Sequence, residues 1–344
     1  MLWNVCPDGC ALPPASVNTT TATATTTTAP AIGNPIYWHD SPDPSIVVDG
    51  GKLYAYYTGG GRDSRHGRFP ILRSNGKLSE WEQIGYIFVP GEAPRWARKS
   101  RNWWAPEVHK VNGRYVAYIT TREDATGRFA IGAAVADKPE GPFYDIGEPI
   151  VRNESVGLID ANYFEDPNTR RKYLLWKEDQ NDFNPPRPTP LIMQELSPDG
   201  LKVVGEPKEL LRNDRDWEGV LVEAPTLIFE NGWYYLFYSG NVYAIDEYAV
   251  GVSRSRTVWG PYEKYPEPIL KHDKDFSGPG HQFLLKDDKG NWHVFYHARI
   301  KSIDARWRFM MYDTLKFGAD GWPTINDGYP GALSQEMLKR ITGK

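Results

Sequence analysis

The chain has 344 residues, 40% of them hydrophobic and 24% charged, with 40 Lys and Arg against 44 Asp and Glu and a formal charge of −4. That length and polarity suit one globular domain with an ample core. The acidic balance argues against the basic surface by which a protein holds nucleic acid, and no run of about 20 apolar residues is present to span a membrane as a helix.

Residues 1–33 read as a disordered leader and linker. From Ala11 to Ala31 the chain is dominated by Thr, Ala and Pro, a composition that cannot build a packed core and that marks O-glycosylated spacers of secreted proteins. Cys6 and Cys10, the only cysteines, precede this spacer. The opening MLWNVCPDGC lacks the charged start and continuous apolar run of a signal peptide, so the expectation of secretion rests on the spacer alone.

Residues 34–344 carry a repeat. DPSIVVDGGKLYAYYT begins at Asp43, WAPEVHKVNGRYVAYIT at Trp104, DANYFEDPNTRRKYLLW at Asp160, EAPTLIFENGWYYLFYS at Glu223 and HQFLLKDDKGNWHVFYH at His281. Each is an apolar strand, a turn rich in Gly, Asn and Asp, and an aromatic alternating strand. The aromatic residues Tyr54, Tyr115, Tyr173, Tyr234 and Trp292, which follow the turns, are spaced by 61, 58, 61 and 58 residues. Four strands plus loops fill such a period, somewhat above that of common propeller blades. Four of the hairpins start 11 residues before this anchor and the third starts 13 before it, the extra two falling in its longer turn.

The segments FAIGAAVADKPEGPF and YAVGVSRSRTVWGPY read as third strands, and EWEQIGYIF and YDIGEPIV as outer strands; a helical period shows only in SQEMLKRI near the end. The pattern predicts an all-β, five-bladed β-propeller. Equivalent positions of radial repeats lie on a ring around one axis, so Asp43, Asp160 and Glu223 are predicted to converge on one ligand.

Two carboxyl groups flanking a glycosidic bond supply what its cleavage needs, a proton for the leaving oxygen and a base or nucleophile at the anomeric centre. Asp43, in SPDPS, also suits a turn before the first strand, and Asp160 would equally suit a loop cap or an Arg partner. Glu223, between GVLV and APTL, is expected to be largely buried, which favours its neutral form and a general-acid role.

Taken together, DPSI at Asp43, WWAPEV from Trp103, IDANYF around Asp160, VEAPTL around Glu223 and GPGHQ around His281 resemble family 43 glycoside hydrolases, over Pro35 to about Pro330. The resemblance implies a five-bladed propeller and an inverting enzyme acting on arabinose- or xylose-containing polysaccharides. It implies Asp43 as general base, Glu223 as general acid and Asp160 as the residue that orients the acid and tunes its pKa. It further implies substrate contacts from Trp104, His281 and Arg308, with Arg306 close enough in sequence to compete for the last role. No cofactor is required, although a calcium or sodium ion held by His281 through water is expected in the central channel. Glu107 stands where many members have Asp, and Ala224 where Gly is frequent, which obscures the subfamily rather than the acids.

The activity expected is that of an exo-acting α-L-arabinofuranosidase. Endo-1,5-α-L-arabinanase and β-xylosidase are the alternatives on the same fold, and a non-catalytic carbohydrate-binding propeller is the rival of another class. A retaining fructosidase-type propeller would carry its nucleophile in an Asn-Asp-Pro-Asn context, which Ser41-Pro42-Asp43-Pro44-Ser45 does not provide.

Overall fold

The computed structural model describes residues 32–60, 66–303 and 306–342. The leader, its cysteines and the Thr-rich spacer lie outside the described residues, and so does the expectation of secretion built on them. The described residues form five four-stranded antiparallel sheets, each a simple meander in chain order. Blade 1 spans 45–88, blade 2 103–151, blade 3 158–212, blade 4 222–264 and blade 5 276–325. The first strand of each blade contacts the first strand of the next, and that of blade 5 contacts that of blade 1, so the ring closes around an axis lined by these inner strands. The result is the five-bladed β-propeller.

Its inner strands are apolar on both faces because each blade is packed between two others. Successive side chains of the first blade show this: Ile46 and Ala55 enter the layer shared with Phe283, Phe295 and Met310 of blade 5, whereas Val47, Tyr54 and Tyr56 enter the layer shared with Trp103, Val108 and Tyr115 of blade 2. Three further layers fill the gaps between blades 2 and 3, 3 and 4, and 4 and 5. The third strands Phe129–Ala136 and Ala249–Ser255 and the outer strands Glu82–Phe88 and Tyr144–Val151 lie where the sequence predicts them.

The chain's two ends fasten blade 5 beside blade 1. Asn34, fully buried, donates from Nδ2 to Tyr312 O (3.1 Å) and accepts at Oδ1 from Tyr312 N–H (2.8 Å). Its backbone bonds to Ala332 and Ser334. The last helix, Gln335–Thr342, is the one expected from SQEMLKRI, and buries Met337 against blades 4 and 5.

Candidate active site

Five positions near the axis share one unusual backbone conformation. Asp43 (φ 57°), Ala105 (40°), Asp160 (59°), Ala224 (51°) and His281 (53°) lie in the left-handed region, which non-glycine residues enter at a cost and mostly at functional sites. In four blades the inner ladder skips two residues there, from Trp104 to Glu107, Ile159 to Asn162, Glu223 to Thr226 and Gly280 to Phe283. In three blades the second skipped or preceding-strand residue is Pro44, Pro106 or Pro225, which has no N–H to leave unpaired.

This bulge defines the ring and corrects the equivalence drawn from anchor spacing. Asp43, Asp160 and His281 stand on it, whereas Trp104 and Glu223 precede it by one residue. The counts to the anchors mislead because Tyr54 stands third in its strand whereas Tyr115 and Tyr234 stand second, and because the turns of blades 3 and 5 differ from the rest. Two residues separate the pairs Asp49/Lys52, Val111/Arg114 and Glu230/Trp233, but six separate Glu165/Lys172 and five separate Lys286/Trp292.

Asp43, Trp104, Asp160, Glu223, His281 and Arg308 all line one cavity of about 270 Å³ at this end of the axis. Arg308, not Arg306, is the arginine that enters it. Trp104 presents a half-buried ring tilted by 31° against Phe129, with centroids 4.2 Å apart.

On one side of the cavity Asp43 is buried among cations and imidazoles. Its Oδ1 lies 3.0 Å from Arg308 Nη1, 3.3 Å from His281 Nδ1 and 3.0 Å from His297 Nδ1. Burial pushes its pKa up, but Arg308, His281 and His297 together outweigh that and hold the carboxyl well below its ordinary range. His297 is pushed down to about 4, first by burial and then by Arg308, so its ring is neutral. His297 Nδ1 also accepts from the Asp43 backbone N–H at 3.3 Å, and its Nε2 has no hydrogen-bond partner among the described residues. All three contacts fall on Oδ1; among the described residues Oδ2 takes no hydrogen bond.

The opposite side holds two acids and a lysine. Glu223 Oε1 accepts from the Tyr248 hydroxyl (2.8 Å) and Oε2 from Lys177 Nζ (3.1 Å). Lys177 is fully buried and also pairs with Asp179 (3.1 Å). Burial lowers its pKa, and Glu223, Asp179 and Asp160 outweigh burial, so the ammonium stays charged. Asp160 Oδ2 accepts from the backbone N–H of Ala224 at 3.0 Å. It therefore holds the main chain next to Glu223 instead of touching the Glu223 carboxyl. Its own pKa is raised to about 7, chiefly by burial, with Glu223 and Asp43 adding repulsion against His281 and Lys177.

Beneath the pocket the channel narrows to a cavity of about 10 Å³. The Glu107 carboxylate there accepts from Asn162 Nδ2 (2.5 Å) and lies 2.7 Å from His109 Nε2, while the Gln282 amide bonds Ala224 O (2.8 Å) and the Ser239 hydroxyl (3.2 Å). Such a space takes about one water-sized sphere, and its polar groups are engaged with one another. Among the described residues no three His, Cys, Asp or Glu side chains are grouped to hold a metal. His281 Nδ1 is directed to Asp43 Oδ1 at 3.3 Å.

Lys177, Asp179, Tyr248 and His297 escaped the sequence reading. Lys177 and His297 each lie on the second strand of a hairpin whose first strand was recognised, paired beside the bulge at Ile159 and Gly280. That pairing was the available signal. Tyr248 and Tyr243, the latter 4.5 Å beneath the Arg308 guanidinium, come from outside the hairpins and carried none.

An acid-lined pocket at the hub of a five-bladed propeller defines a class, the propeller glycoside hydrolases. Residues 32–323 match the family model described as Glycosyl hydrolases family 43, and the chain belongs to that family of inverting enzymes. It is similar to Xylosidase/arabinosidase 43B of Humicola insolens, with 29% identity over 319 residues that make up 87% of this chain and 56% of the relative. Beta-D-galactofuranosidase xynD of Aspergillus niger is 26% identical over 307 residues, 84% of this chain and 83% of the relative. A solved thermostable family-43 glycoside hydrolase matches with a TM-score of 0.76 at 28% identity, over 88% of this chain and 99% of that one. The chain thus spans little more than half the length of the first of these relatives.

Proposed function

We propose that this chain is a secreted exo-acting α-L-arabinofuranosidase that removes terminal arabinofuranose from arabinan or arabinoxylan. The observation that carries this reading is the pocket of about 270 Å³ with the three acids on its wall. It is smaller than the roughly 300–1,000 Å³ sites of drug-sized ligands and suits a single pentose held at a chain end. The names of the relatives, xylosidase/arabinosidase and β-D-galactofuranosidase, keep xylose and other furanosides as the nearest substitutes.

In this reading Asp43 Oδ2 takes a proton from a water that attacks the anomeric carbon, and the anchoring of Oδ1 by Arg308, His281 and His297 keeps that oxygen aimed and ionised. Glu223 gives its proton to the leaving glycosidic oxygen as the bond breaks. Afterwards the proton resides on Asp43 and the charge on Glu223, where Lys177 and Tyr248 stabilise it. Asp160 fixes the Glu223-Ala224 backbone, and Trp104 offers its face to the sugar.

Proton NMR of the anomeric signals during hydrolysis tests the proposal on a panel of arabinofuranosyl and xylopyranosyl substrates. Arabinose appearing first as its β-anomer is the expected result. Xylose appearing as its α-anomer, with arabinosides untouched, would move the assignment to β-xylosidase. Internal cleavage of linear arabinan without free arabinose would move it to an endo-acting enzyme.

A further inference from the structure

Beside the catalytic pocket, on the side of blades 1 and 2, lies a second cavity of about 480 Å³ that shares Thr58 and Trp104 with it. Arg101 and Asn102 form its outer wall, and among the described residues no Asp or Glu lines it. Arg101 ends the segment Arg-Trp-Ala-Arg-Lys-Ser-Arg (95–101), which places four cations in seven residues of an otherwise acidic chain. Arg98, Lys99 and Arg101 are exposed. Among the described residues no ion pair to these side chains is formed: Asp124 accepts from the backbone N–H of Lys99 (3.0 Å), and Asp145 from the backbone N–H of Arg95 (3.3 Å) and from Trp96 Nε1 (3.2 Å).

The loop is held in place. Trp96 is buried, its carbonyl accepts from Asp124 N–H (2.8 Å), and the Ser100 hydroxyl accepts from the N–H groups of Asn102 (3.2 Å) and Arg122 (3.3 Å). Thr121 Oγ1 donates to Asn102 O at 2.7 Å. Unneutralised guanidinium and ammonium groups on a braced loop form a preorganised anion site, since little freedom is lost on binding.

We propose that this cavity is a subsite for a carboxylate-bearing sugar, a uronate carried by the polysaccharide next to the unit being cleaved. Arg101 is its direct partner, and Arg98 and Lys99 supply the surrounding positive field. A ligand continuous with a sugar in the catalytic pocket is itself a glycan, and a uronate is the sugar unit whose anionic group is a planar carboxylate matching the guanidinium fork. The half-buried Trp104 ring, common to both cavities, gives the neighbouring unit an apolar face to lie on. The proposal rests on the glycosidase reading and names the substrate feature that reading leaves open.

The test compares uronate-substituted arabinoxylo-oligosaccharides with the same oligosaccharides after carboxyl reduction. At low salt the wild-type kcat/KM is expected to favour the acidic member by about tenfold, as one charge-assisted fork would give. The advantage should shrink as salt screens it. Arg101→Gln should bring the ratio close to one, and Arg98→Gln with Lys99→Gln should lower it partway. A wild-type ratio of one, or an equal loss on both members in Arg101→Gln, overturns the proposal. Calorimetric binding of the same pair separates the two readings. If nothing is hydrolysed but the acidic member binds tighter and Arg101→Gln removes the difference, the subsite stands and the glycosidase reading falls; equal or absent binding of the two members sinks the subsite.

Discussion

The two walls of the pocket treat a carboxylate in opposite ways. On one, Asp43 faces Arg308, His281 and His297 within 3.3 Å and is held ionised despite its burial. On the other, Asp160, Asp179 and Glu223 gather around the single ammonium of Lys177, and Asp160 is raised to about 7. Burial, with repulsion from Glu223, lets Asp160 retain its proton at a pH where Asp43 has none. In the proposed reading this difference lets Asp43 act as the base and Glu223 as the proton donor within one small cavity. The groups touching the Glu223 carboxyl are Lys177 and Tyr248, while Asp160 holds the adjoining backbone.

The sharpest test of that contrast removes each acid in turn. Asp43→Ala should lower kcat by about 10²–10⁴-fold on every substrate, because water attack needs the base whatever departs. Glu223→Ala should lose a similar factor on natural arabino-oligosaccharides but far less on aryl arabinosides, whose leaving groups need little protonation. A leaving-group dependence of equal size in both variants would erase the assignment of the two walls.

Lys177→Met breaks the acid wall without touching the base. Removing one partner of a buried ion pair costs about 3–5 kcal/mol, and here three carboxylates lose their common counter-ion. Thermal unfolding should show a lower Tm, with a larger drop at pH 8 than at pH 5 because the uncompensated acids repel when ionised. An unchanged Tm at both values would mean that Lys177 does not hold this wall together.

The smallest effect concerns Asp160. A carboxyl raised to about 7 in the folded chain binds its proton more tightly than in the unfolded chain, so its contribution to stability is present at low pH and is lost as pH rises from about 4 through about 7. Asp160→Asn has no proton to lose. Its Tm relative to wild type should therefore improve by a few degrees over that range, measured by calorimetry in parallel buffers. A relative Tm independent of pH would place the ordinary acid pKa back on Asp160.

Much of the propeller is legible in the chain because its strands are local. DPSIVVDGGKLYAYYT pairs with itself across a two-residue turn, and the alternation that sends Ile46 and Val47 into different interblade layers is written in consecutive residues. Position on the ring is less legible. Glu223 and Trp104 counted as equivalents of Asp43 because the aromatic anchor stands third in its strand at Tyr54 but second at Tyr115 and Tyr234, whereas the left-handed bulge that defines the ring leaves no residue signature beyond an occasional following proline.

By itself the sequence determined the fold class and the hairpin repeat and pointed to Asp43, Trp104, Asp160, Glu223 and His281, since hydrophobic period, turn chemistry and short motifs act within a few tens of residues, while the choice of Arg308 over Arg306 came from the structure. Only the tertiary structure decided what surrounds them. The groups that set each acid's charge, Lys177 and Tyr248 at Glu223 and His297 and Arg308 at Asp43, lie 25 to 265 residues away along the chain. Coulombic and hydrogen-bond energies depend on distance in space, and closing the ring is what converts those separations into contacts near 3 Å.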